Sequence, residues 1–219
     1  MFERSRYDEP VTFALQASLF DDGADGPSLG SLTSVRRTVL TDGAWIDVLP
    51  NWVSGSDCVF DQLVDEVPWR SERRPMYDRV VDVPRLVSFF PDPERLPSPV
   101  LVDAGRKLSE HYRAELGEDF ATAGLCFYRD GKDSVAWHGD DLGRGAREDT
   151  MVAIVSLGAA RPLLLRPRGG GPSVRHTLGH GDLIVMGGSC QRTWEHCVPK
   201  STRATGPRIS VQFRPHGVR

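Results

Sequence analysis

The spacing of apolar positions changes near residue 120. Before that point Val59, Phe60, Leu63 and Val64 recur at intervals that place them on one helix face, which predicts a helix from about Ser54 or Asp57 to Val67. A second helix is predicted to open at Ser98-Pro99, a cap residue followed by a proline suited to a first turn. It carries Leu101, Ala104, Leu108 and Tyr112 on one side and stops at Gly117. Residues 36–49 read as a strand and a turn. After Phe120 the apolar runs are short and β-rich, separated by Gly, Pro and Asp clusters. Predicted strands are 125–128, 134–138, 151–157, 162–166, 174–178, 183–186 and 209–213, a density that implies an all-β sandwich or barrel with the helices packed outside it.

This divides the chain into three parts. Residues 1–34 form a flexible tail, because 21–34 is rich in Gly, Asp and Ser and shows no hydrophobic period. Residues 35–119 form a helix-containing extension, and 120–219 form the β core. Within the tail, Gln16-Ala-Ser18-Leu19-Phe20 matches the Q-x-S/D-L-F pattern with which bacterial proteins dock on the replication sliding clamp. A strand beginning at Val11 and pairing with the core is the competing expectation.

The 219 residues carry 27 Lys and Arg against 30 Asp and Glu, a net charge of -3, which excludes a general polyanion binder. The balance is uneven along the chain. Residues 1–128 hold 13 cations and 22 acids (13 - 22 = -9), and residues 129–219 hold 14 and 8 (14 - 8 = +6). Lys107, Lys132 and Lys200 are the only lysines, so arginine, the cation suited to bidentate anion contacts, dominates. Neither a membrane-spanning run nor the apolar segment of a signal peptide is present, and the four cysteines form no C-x-x-C pair. A cytoplasmic protein with reduced thiols is expected.

His138 and Asp140 flank Gly139 at the end of a predicted strand. Residues two apart on a strand project from one face, so the two side chains can share a target. His196 lies 56 residues beyond Asp140 (196 - 140), a separation that a closed β-sandwich brings back. Two imidazoles and one carboxylate suit a non-haem Fe(II) centre, while zinc with three protein ligands and a water is the competitor. In the last strand Arg208, Ser210, Gln212 and Arg214 share one face, and Ile209, Val211 and Phe213 the other. Six residues at ~3.3 Å each separate the two arginine backbones by about 20 Å, so their long side chains have to converge on a small dianion. A five-carbon diacid such as 2-oxoglutarate suits that spacing. A salt-bridged pair facing acids of neighbouring strands is the alternative.

The runs 126–141 (CFYRDGKDSVAWHGDD), 154–161 (IVSLGAAR), 181–186 (GDLIVM), 191–200 (QRTWEHCVPK) and 208–214 (RISVQFR) resemble, in order and spacing, the AlkB family of Fe(II)- and 2-oxoglutarate-dependent dioxygenases. The close likeness covers about residues 120–215. A looser one reaches back through 43–50, 67–70 and 84–86, the part that forms the nucleotide-recognition lid in AlkB relatives. The resemblance implies an α+β fold with a double-stranded β-helix (jelly-roll) core, N-terminal helices and a nucleotide-recognition-type extension. It implies His138, Asp140 and His196 as iron ligands and Tyr128, Arg208, Ser210 and Arg214 as 2-oxoglutarate contacts. The implied reaction uses O2 and yields succinate and CO2. It hydroxylates the carbon on an alkylated base nitrogen, and the hemiaminal then collapses to an aldehyde and the repaired base in DNA or RNA.

The base has to be single-stranded or flipped to reach such a site. Trp69, Asp141 and Arg161 are the expected substrate contacts, with Phe89 and Phe90 as further stacking candidates and Arg70, Arg73, Arg74 and Arg79 as phosphate contacts. Each of these also suits a core or solvated position. Two positions depart from the family pattern: Cys126 stands where N-x-Y places an Asn, and Leu142 stands where base readers usually carry an acid. A 2-oxoglutarate-dependent hydroxylase of a small molecule or protein, and a non-catalytic nucleic-acid or clamp-binding module, are the alternative functions.

Overall fold

The computed structural model describes residues 26–76, 79–203 and 205–218. Gln16, Ser18, Leu19 and Phe20 lie outside these residues, as do the side chains of Arg73, Arg74 and Arg79. In chain order the strands before the first helix are β1 (Ser28–Leu29), β2 (Arg36–Val39), β3 (Ala44–Leu49) and β4 (Val53–Ser54). Helix α1 (Ser56–Glu66), strands β5 (Arg70–Met76) and β6 (Arg79–Phe90), and helix α2 (Pro99–Leu116) complete the first half. The second half holds β7 (Thr122–Tyr128), β8 (Val135–His138), β9 (Val152–Gly158), β10 (Arg161–Pro167), β11 (Val174–Leu178), β12 (Asp182–Gly188), the short α3 (Cys190–Thr193), β13 (Trp194–Val198) and β14 (Arg208–Arg214).

An eight-stranded sheet in the order β2-β3-β12-β9-β14-β7-β6-β5 faces a four-stranded sheet, β11-β10-β13-β8, and all the pairings within both are antiparallel. This is the double-stranded β-helix that the family resemblance implies, and it agrees with the sandwich or barrel read from the strand density. The alternation of side chains separates two apolar layers. Val152 and Ile154 of β9 and Ile184 and Met186 of β12 turn towards the smaller sheet, where they meet Leu163 and Leu165. Ala153, Val155 and Leu157 of β9, with Ile209, Val211 and Phe213 of β14, turn the other way beneath α1 and α2. A hypothetical Cβ on Gly105 of α2 would stand 3.2 Å from the Phe213 ring, so this glycine lets the helix lie close against the central strand.

Both helices fall where their apolar spacing places them, and Ser98 and Gly117 mark the ends of α2, with Gly117 at φ 78°. The β5–β6 hairpin and β13 are not anticipated by the periodicity. The hairpin carries Pro75 and Pro84 and many charges, which lower the strand signal, and β5 is the outermost strand of its sheet, where such residues are tolerated. No helix among the described residues is long and apolar enough to cross a membrane.

Candidate metal and co-substrate site

Strands β8 and β13 pair with His138 directly opposite His196, and their ring centroids stand 4.3 Å apart. His138 Nδ1 lies 2.9 Å from the Ala136 carbonyl and 3.0 Å from that of His196. Donating its proton there leaves Nε2 as the free lone pair, the arrangement commonly seen at metal-binding imidazoles. The chain then has to turn sharply to present Asp140. A Cβ at Gly139 would come within 2.6 Å of the Gln191 carbonyl and 3.3 Å of the Trp194 carbonyl, so a side chain at this position would displace the backbone leading into β13. The Asp140 backbone N–H donates to Gln191 Oε1 at 3.0 Å and fixes the turn from below.

Asp140 and His196 are both buried. Burial, followed by the neighbouring His138, holds the His196 imidazole down to about 3, which keeps it neutral and available as a ligand. Burial raises the Asp140 carboxyl, but Arg214, His196 and His138 outweigh it and hold the group below the usual carboxylate range. The carboxylate is turned to Arg214: Nε donates to Oδ2 at 3.0 Å, and Nη2 lies 2.9 Å from the same oxygen. As the side chains stand, no three His, Cys, Asp or Glu groups among the described residues form a metal cage. The donor types, their burial and the Nδ1 bonds of His138 nonetheless fit a centre of two imidazoles and one carboxylate.

These three residues open into a cavity of about 680 Å³ whose lining includes Tyr128, Arg208, Ser210, Gln212 and Arg214. The four polar residues of β14 face this cavity while Ile209, Val211 and Phe213 are packed in the opposite layer, as the alternation requires. Arg208 donates from Nε to Ser156 Oγ at 2.9 Å and stands 5.3 Å from the Tyr128 ring centroid, while its buried Nη1 has no partner. A buried, unpaired guanidinium nitrogen beside this cavity fits an anionic co-substrate. Burial pushes the Tyr128 hydroxyl up to about 12, so it remains protonated and able to donate.

Asp141 also lines the cavity, but Arg168 holds its carboxylate at 2.7 Å. Trp69 and Arg161 are not brought to this cavity. The Trp69 ring packs 5.2 Å from Phe127 in the layer beneath the helices, and its Nε1 donates to the Leu63 carbonyl at 3.1 Å. Arg161 is buried, and its guanidinium donates to the carbonyls of Asp130, Asp133 and Pro199. Phe90 joins the helix-side core, whereas Phe89 is 55% exposed on the cavity rim.

Arg85 is the lining residue that the sequence reading missed. Its Nε donates to Cys126 Sγ at 3.4 Å and its Nη1 to the Ser134 carbonyl at 3.1 Å. The available signal was a charged residue alternating with Val87 and Phe89 on one face of β6.

Residues 47–214 match the family model of the 2OG-Fe(II) oxygenase superfamily. The human alpha-ketoglutarate-dependent dioxygenase alkB homolog 3 is 30% identical over 203 residues, covering 84% of this chain and 68% of the relative. The human DNA oxidative demethylase ALKBH2 is 31% identical over 116 residues, 49% of this chain and 44% of that protein. Among solved structures, that of OsALKBH1 superposes with a TM-score of 0.54 at 16% identity, covering 81% of this chain and all of that one, and so supports the fold.

Proposed function

Because the chain belongs to the 2OG-Fe(II) oxygenase superfamily, whose members use Fe(II), 2-oxoglutarate and O2, we propose that it oxidatively dealkylates N-alkylated bases in DNA or RNA. The observation that carries this reading is one cavity that holds His138, Asp140 and His196 together with the unpaired Nη1 of Arg208. The likeness to the DNA oxidative demethylase ALKBH2 supports nucleic acid as the substrate class. His138, Asp140 and His196 would hold the iron, which when bound supplies O2 activation coupled to decarboxylation of 2-oxoglutarate. Arg208 and Arg214 would each take one carboxylate of the co-substrate. Tyr128 and Ser210 would add hydroxyl donors between them. Both Arg214 contacts fall on Oδ2 of Asp140, which leaves Oδ1 for the metal while Arg214 orients the carboxylate. Phe89, Leu142 and Asp141 at the rim would meet the extruded base. The products are succinate, CO2, an aldehyde and the repaired base.

Anaerobic reconstitution with Fe(II), followed by oxygen and methylated single-stranded DNA or RNA, tests this. Aldehyde and succinate are expected in equal amounts, and Asp140→Ala is expected to abolish both. Succinate formed with no aldehyde from any alkylated strand would sink the nucleic-acid reading in favour of hydroxylation of another substrate. We further propose that the peptide at Gln16, Ser18, Leu19 and Phe20 docks on a bacterial replication sliding clamp. The supporting feature is its sequence pattern, and a synthetic peptide of residues 12–24 is expected to bind the clamp and to lose binding when Leu19 and Phe20 become Ala.

A further inference from the structure

A second cavity, of about 630 Å³, opens at the base of the β10–β11 hairpin, between that hairpin and the connection from β13 to β14. Four cationic residues line it, Arg161, Arg175, Lys200 and Arg203, and no Asp or Glu does. In a chain with more acids than bases, that local composition departs sharply from the average. Several other surface arginines are matched: Arg106 with Glu94, Arg144 with Glu118, Arg166 with Glu195 and Arg192 with Asp149. Arg175, Lys200 and Arg203 have no such acid partner among the described residues.

The fourth cation is of a different kind. Arg161 is 1% exposed, donates to three backbone carbonyls at 2.8–2.9 Å, and has a buried Nε without a partner. Neutral carbonyls satisfy its donors without cancelling its charge, and a charge held in a low-dielectric wall acts on the adjacent cavity more strongly than one in water. The lining contains no aromatic or branched aliphatic side chain; beside Pro162, Pro199 and small residues it presents the hydroxyls of Thr177, Ser201, Thr202 and Thr205. Affinity there has to come from charge and hydrogen bonds.

We propose that this cavity binds a phosphate-bearing anion, from a nucleic-acid backbone or as a small free phosphate, at a site separate from the one containing His138. Arginine forks flanked by hydroxyls match the several acceptor oxygens of a phosphate. The volume lies within the range of about 300–1,000 Å³ typical of small-ligand sites.

The test uses the full chain with saturating 2-oxoglutarate, so that the reaction cavity is filled, and titrates pyrophosphate and an unmethylated single-stranded oligonucleotide at low salt. The variant Arg175→Ser/Lys200→Ser/Arg203→Ser is expected to weaken pyrophosphate at least tenfold. A backbone source also predicts a weaker oligonucleotide, with the slope of log affinity against log salt falling by about 2, three contacts at roughly 0.7 each. A free-phosphate source predicts loss of pyrophosphate binding with oligonucleotide affinity unchanged. The charge-preserving Arg175→Lys/Arg203→Lys variant keeps the salt slope but loses affinity for pyrophosphate, and it provides the reading should the serine variant fold poorly. If both ligands bind both variants as they bind the parent, the proposal is wrong.

Discussion

Arg214 closes on Asp140 across 74 residues of sequence, with Nε and Nη2 both within 3.0 Å of one carboxylate oxygen. Both side chains are largely buried, so each is the other's main compensation in a poorly solvated place. Removing one partner of a buried pair strands the other, at a cost of about 3–5 kcal/mol. Arg214→Ala is therefore expected to lower the unfolding free energy of the metal-free protein by about 3 kcal/mol in urea titration. It should also weaken 2-oxoglutarate at least tenfold by calorimetry. Arg214→Lys keeps the charge but not the fork, and should fall between the two. A variant as stable as the parent would show that the pair contributes nothing to the fold.

Acid should destabilise the metal-free protein well above the range in which ordinary carboxylates titrate. His196 is held at about 3 in the folded chain, against an ordinary 6.5, so below pH 6.5 the unfolded chain takes up a proton that the folded one refuses. The stability from this group is complete above pH 6.5 and is lost as pH falls through the window down to about 3. The loss amounts to about 2 kcal/mol between pH 6.5 and 5, at 1.36 kcal/mol per unit. Asp140, held low, adds a further loss in the same direction below the ordinary carboxyl range. Urea midpoints across pH 5–7 are expected to slope steeply in the parent and to flatten in His196→Gln.

Much of this arrangement was legible because β strands encode it in period two. Arg208, Ser210, Gln212 and Arg214 face one cavity and Ile209, Val211 and Phe213 the opposite layer, as written in the last strand. The convergence of His196 on His138 required knowing that β13 pairs with β8, and Trp194–Val198 gave no strand signal of its own. Trp69 and Arg161 misled for related reasons. An aromatic or a guanidinium has the same one-dimensional appearance whether it meets a ligand or a backbone carbonyl. Arg85 was hidden because its contacts, Cys126 and Ser134, lie 41 and 49 residues away.

Cys126 offers the Arg85 guanidinium a sulfur at 3.4 Å and lies 3.9 Å from Gln212 Oε1, both long contacts to a weak hydrogen-bonding group. An amide in its place would supply a stronger acceptor to Arg85 and a donor towards the cavity. One hydrogen bond is worth about 0.5–1.5 kcal/mol net, so Cys126→Asn should tighten 2-oxoglutarate by roughly two- to tenfold. Calorimetric titration checks this, and Cys126→Ser, which is smaller and shorter in reach, should gain less. Weaker binding in Cys126→Asn would mean that the sulfur fills a space the amide cannot enter.

Leu142 is 66% exposed at the mouth of the same cavity, beside Asp141, whose carboxylate is already paired with Arg168 at 2.7 Å. The rim therefore meets an incoming base with an apolar side chain and with an acid that has its own cation. A positively charged lesion such as 1-methyladenine gains little there over an uncharged one. Leu142→Glu places a carboxylate at that rim. An exposed ion pair is worth about 0.2–1 kcal/mol, so the ratio of kcat/KM for 1-methyladenine over an uncharged methylated base in otherwise identical oligonucleotides should rise by roughly 1.4- to fivefold. Turnover of 2-oxoglutarate without nucleic acid should not change, because Leu142 is not among the residues proposed to hold the iron or the co-substrate. Leu142→Ala separates lost apolar contact from gained charge: it should lower kcat/KM for both bases alike and leave the ratio where it was. An unaltered ratio in Leu142→Glu would place the base out of reach of residue 142 and move its recognition to Phe89 and the β6 side of the rim.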